Sequence, residues 1–236
     1  MRSALTAWTT FVLVFASLSY ALRFSEGKPP KDLLYRWSTV ESGLIQYAVI
    51  GLIIYGIAGL GDRRELLALR RPASWKTAVG IAVAIGIFMA ILGGVLGPLL
   101  NPGREQGVTP DVWRPAHAAE YVANGVVICI VAPFVEELAF RGLGYSQLAR
   151  YGRWTAILLV GVAFALAHGL VQGFPFLMAL GSALAYLRSR VNSVVPGMIA
   201  HGLFNATALA VAVSGKPVQE NMLRACVGVW SLLFHF

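Results

Sequence analysis

The chain has 236 residues, 57% of them hydrophobic and only 13% charged, with a mean hydropathy of +0.69. A soluble domain carries about 25% charged residues, so the composition argues against a soluble enzyme and for an integral membrane protein. A net charge of +8 is compatible with a nucleic-acid partner, but the basic residues sit in short loops with no stripe of interleaved aromatics, which argues against one.

In chain order, apolar windows long enough for a bilayer crossing of about 20 residues fall at 5–22, 43–60, 77–100, 121–140, 154–171 and 194–213. Two weaker windows, 174–187 and 222–236, are short for a standard span and are expected to cross as tilted or shielded helices. The expectation is one all-α polytopic membrane domain, 1–236, with about eight transmembrane helices. Arg2 before the first run, and the small residues around Ser19-Tyr20-Ala21, also fit a signal peptide. The run is long for an h-region of about 7–15 residues, so an uncleaved first helix is expected.

The loop after the second window holds Arg63, Arg64, Arg70, Arg71 and Lys76, and Arg150, Arg153, Arg188 and Arg190 fall on the same side. This modest excess places both termini in the cytoplasm of a multi-pass cell-membrane protein. Residues 62–71 alternate charges with Leu66, Leu67 and Leu69, as an amphipathic segment on the membrane surface does. Glycines at 80, 86, 93, 94 and 97 in the third window are read as close helix packing. Residues 101–120, rich in proline and glycine, read as an irregular external loop in which His117 is solvated. Cys129 and Cys226 lie in apolar segments and carry no disulfide or metal-ligand spacing.

The chemistry concentrates in 121–213. Glu136, Glu137 and Arg141 lie at the end of an apolar run, where an ionised side chain costs about 2.5–3.5 kcal/mol on insertion scales. On a helix Glu137 and Arg141 are i,i+4 neighbours and pair, while Glu136 points about 100° away. The motif alone fits a wet helix end as well as an intramembrane site. Phe164 and His168 share a face of the next helix, as His201 and Asn205 do two helices later. If the Glu136 helix turns near Gly152, Glu136 and His168 each lie sixteen residues from it and should face each other across an antiparallel hairpin. His201 follows Pro196 by five residues and should sit in the early turns of its helix. Glutamate with two histidines also suits a divalent metal, but no His-Glu-x-x-His pair is present.

Glu136-Glu137-x-x-x-Arg141, Phe164-x-x-x-His168 and His201-x-x-x-Asn205, in that order on successive apolar segments, resemble the CPBP intramembrane glutamic endopeptidases, the CAAX protease and bacteriocin-processing family. The resemblance covers 121–213. It implies helices surrounding a catalytic cavity open to the cytoplasm, and peptide-bond hydrolysis by glutamate-activated water. Carried over, Glu136 is the general base, His168 positions the water, and His201 with Asn205 forms the oxyanion site. Glu137, Arg141 and Phe164 support them, and no cofactor is implied. The substrate is a membrane-associated protein or peptide, prenylated or carrying a sorting-signal tail. A non-catalytic immunity or peptide-binding protein is the alternative. A small proton-coupled transporter is a more distant one, since the first hundred residues hold no counterpart of the motifs.

Overall fold

The computed structural model describes residues 2–213 apart from 28, 101–104, 106, 109, 111 and 112. Among the described residues the regular elements are all helical: α1 (Arg2–Glu26), α2 (Trp37–Ala58), α3 (Arg63–Leu67), α4 (Trp75–Leu100), α5 (Pro115–Tyr151), α6 (Arg153–Ala167), α7 (Phe174–Val191) and α8 (Val195–Val213). The protein is an all-α integral membrane protein.

Five of these helices, α1, α2, α4, α5 and α8, are long and apolar enough to cross a membrane. They occupy five of the eight expected windows. The window at 154–171 is taken by α6, only 15 residues long, and the window at 174–187 by α7. The last window, 222–236, and Cys226 lie outside the described residues. Exposed leucines, isoleucines and valines along α1, α2 and α4 are what lipid-facing helices require.

The segment after α2 is shorter and more tightly held than a surface amphipathic helix. Asp62 caps α3 by accepting from the backbone N–H groups of Arg64 and Glu65, and the helix stops where Ala68 turns left-handed at φ 50°. The chain then joins the α7–α8 turn. Ala73 N–H donates to Val191 O at 2.9 Å, Val194 N–H to Ala68 O at 3.2 Å, and the Ser193 hydroxyl to Arg70 O.

Helix α5 ends at Gly152, whose φ of 110° is closed to other residues without strain. From there α6 runs back, and α7 packs closely on α6 through facing glycines. A Cβ on Gly181 would lie 3.0 Å from the Gly161 Cα, and one on Gly161 would lie 2.9 Å from Met178 O. By contrast, a Cβ at Gly80 or Gly97 of α4 meets nothing within 4 Å. Gly80 and Gly97 therefore do not make the close packing expected of them, which Gly161 and Gly181 make at the α6–α7 pair.

Gly161→Val is expected to destabilise the protein by about 1–3 kcal/mol through overpacking, read as a lowered apparent melting temperature in detergent, whereas Gly80→Ala should leave it unchanged. Equal melting of the two variants would contradict the α6–α7 contact.

Candidate active site

The helix that carries the paired glutamates is not regular. Within α5, two π-helical stretches, Val127–Val131 and Glu137–Gly144, flank an α-helical turn, Ala132–Glu136. In the first stretch Ala132 N–H reaches back five residues to Val127 O. The next bond of that pattern would run from residue 133 to Ile128 O, but residue 133 is proline and has no N–H. Ile128 O instead accepts from the Asn205 side-chain amide of α8 at 2.9 Å. Pro133 thus leaves a carbonyl unmet and Asn205 meets it, which fixes α8 against α5 beside the glutamates.

Glu137 and Arg141 are completely buried and paired at 2.8 Å, as their spacing predicts. The second Arg141 terminal nitrogen donates to Gly181 O at 3.0 Å, and the guanidinium lies 4.3 Å from the Phe164 ring centroid. Phe164, fully buried, also contacts Phe140 edge-on at 5.4 Å, His201 at 5.7 Å and His168 at 4.5 Å. It is the apolar wall on which the charged groups are assembled. Glu137 Oε1 also lies 3.3 Å from His201 Nδ1. Among the described residues its Oε2 has no hydrogen-bond partner, and it faces the α8 backbone at Gly197, where a Cβ would come within 2.6 Å of it.

Glu136 occupies a different environment. Its Oε1 accepts from the Tyr47 hydroxyl of α2 at 2.7 Å. Its Oε2 lies 3.8 Å from His201 Nε2, and its side chain keeps 14% exposure against none for Glu137. A separation of 3.8 Å is too long for a hydrogen bond, but an oxygen atom lying beside both groups reaches each.

His168 lies just past the end of α6, and its Nδ1 is 2.7 Å from Phe164 O. A carbonyl only accepts, so Nδ1 carries the proton and Nε2 is the outward-facing nitrogen. No hydrogen bond or ion pair joins His168 to Glu136 among the described residues. The structure therefore brings Glu136, Glu137, Arg141, His201 and Phe164 into one cluster. His168 joins it through the Phe164 ring, and Asn205 lies alongside at Ile128. Among the described residues no group of three His, Cys, Asp or Glu side chains is arranged to hold a metal ion.

Tyr47, Gly181, Gly197 and Glu105 escape a reading of the sequence. Glu105, buried in the loop before α5, accepts from the backbone N–H groups of Val171 at 2.9 Å and Gly173 at 2.7 Å and pairs with Arg23 of α1 at 3.1 Å. Tyr20 donates to Leu170 O at 3.0 Å. Together they tie down the turn that follows His168.

A bundle of apolar helices that gathers a buried carboxylate, arginine and histidine and a partly open second carboxylate into one cluster holds a polar site of the kind that membrane proteins retain for function. Residues 118–207, which hold every motif residue, match the model of the family described as type II CAAX prenyl endopeptidase Rce1-like. Over this segment the chain is similar to a family of endopeptidases. No curated protein and no solved structure matches the chain.

Arg141→Met leaves Glu137 buried without its cation and is expected to cost about 3–5 kcal/mol, whereas Glu137→Gln combined with Arg141→Met should recover much of that loss. Apparent melting temperatures of the two purified variants check this; equal losses would mean that the pair is not what holds the cluster.

Proposed function

We propose that the protein is a glutamate-dependent intramembrane endopeptidase that cuts a peptide bond near the end of a prenylated or otherwise membrane-associated protein. The observation that carries this reading is the division of labour between two neighbouring carboxylates. Glu137 is locked in a buried ion pair, while Glu136 is partly open and turns one oxygen toward His201.

Glu136 acts as the general base. It takes a proton from a water molecule as the water oxygen bonds to the scissile carbonyl carbon, and later passes that proton to the departing amine nitrogen as the C–N bond breaks. His168, with Nδ1 held by Phe164 O, offers Nε2 to position the water. The developing oxyanion is met by His201 Nε2–H and by the Asn205 amide, whose second hydrogen remains after the first is given to Ile128 O. Donation from both ring nitrogens, Nδ1 toward Glu137 and Nε2 toward the oxyanion, takes the imidazolium form of His201, with which the formal charges of Glu136, Glu137, Arg141 and His201 sum to zero. Glu137 and Arg141 orient that ring. The pocket is read as open to the cytoplasm, with both termini on that side.

A non-catalytic peptide binder draws support from the engagement of Asn205 with Ile128 O, because a purely structural amide would do the same. Cleavage decides between the two. With the protein in lipid nanodiscs and an internally quenched peptide ending in a farnesylated CAAX sequence, Glu136→Gln is expected to lower kcat by about 10²–10⁴. Asn205→Ala is expected to lower it by about 10²–10³. Folded Glu136→Gln protein that cuts as fast as the native chain would exclude Glu136 as the base, and native protein that binds the peptide without cutting it would favour the binder.

A further inference from the structure

The matched segment begins at residue 118, yet the shortest contact to Glu136 comes from outside it. Tyr47 lies on α2, its ring packed among the core side chains shared by α1, α5 and α6, and its hydroxyl donates to Glu136 Oε1 at 2.7 Å. The charged and titratable groups around Glu136 are Tyr47 from α2, His201 from α8, and Glu137 and Arg141 on α5 itself. His201 faces Oε2. The two carboxylate oxygens are therefore unequal: one is occupied by a phenol, and the other looks toward the histidine.

We propose that Tyr47 is a positioning residue for Glu136, fixing the rotation of its carboxylate so that Oε2 is the oxygen that receives the proton. Three features carry this role. A carboxylate on a flexible side chain samples orientations in which either oxygen, or neither, points at the water, and one hydrogen bond to a packed ring removes that freedom. The O–H···O⁻ bond is charge-assisted, so it is among the stronger hydrogen bonds and holds the carboxylate in one rotation. Tyr47 keeps its own proton throughout: the proton taken from water goes to Oε2, while the phenol O–H stays on Oε1. The role rests on the reading of Glu136 as the base, but the contact itself can be tested without substrate.

The test is infrared difference spectroscopy of the full chain in lipid nanodiscs. The difference between native protein and Glu136→Gln isolates the carboxyl bands of Glu136, and the same difference is taken in a Tyr47→Phe background. With the donor gone, the carboxylate stretching bands should shift, since a hydrogen bond on one oxygen makes the two C–O bonds unequal. A 3-fluorotyrosine at position 47 keeps the ring and hydroxyl but is a stronger donor, so the bands should then shift in the opposite direction. This second variant decides the matter if Tyr47→Phe does not fold. On the farnesylated peptide, Tyr47→Phe should lower kcat about tenfold or more with KM nearly unchanged. Glu136 bands at the same frequencies in all three proteins would overturn the role of Tyr47. Cleavage that survives Glu136→Gln would instead overturn the base, even where the bands move as described.

Discussion

The site is built around a buried ion pair, Glu137 with Arg141, one turn apart on α5 and wholly removed from solvent. Two charges at such depth persist only where their remaining hydrogen-bonding groups find partners and their surroundings are shaped to them. Each requirement recruits a different helix. The guanidinium uses Gly181 O of α7 and the face of Phe164 of α6, while the carboxylate uses His201 of α8 and needs the missing side chain of Gly197. The pair thus draws α6, α7 and α8 onto α5 and sets the orientation of the His201 ring that faces Glu136.

The same economy governs the backbone. Pro133 removes an N–H from α5 just after the first π-helical stretch, and the carbonyl so released is satisfied by Asn205 from α8. In a membrane interior an unmet backbone carbonyl is costly, so the proline and the asparagine form a unit. Asn205 is held in place by a structural contact through one of its two amide hydrogens, which leaves the second to act elsewhere. Around the His168 turn, Glu105, Arg23 and Tyr20 serve a comparable purpose from the loop before α5 and from α1. Parts of the chain that carry no motif are in this way responsible for where the motif residues stand.

The helical fold and the Glu137–Arg141 pair were legible because both depend on local properties, apolar runs and i,i+4 spacing. The turn at Gly152 was legible for the same reason. The π winding of α5 was not, because it is not written in hydrophobic periodicity. Tyr47 stayed hidden for another reason: an aromatic in an apolar helix looks like packing until its hydroxyl is seen against a carboxylate 89 positions away. Likewise, Gly161, Gly181 and Gly197, which allow close contacts around the site, are not in the glycine-rich run of α4, where composition drew attention first.

The central claim is that Glu136 activates water and does not itself attack the peptide bond. Single-turnover cleavage of the farnesylated peptide in ¹⁸O-labelled water, followed by mass analysis of both product and enzyme, tests this most directly. A general base predicts one labelled oxygen in the new carboxylate of the product and none in the α5 peptide bearing Glu136. Label in the Glu136 carboxylate after one turnover would mean an acyl-enzyme formed there, and the mechanism built on an activated water would be wrong.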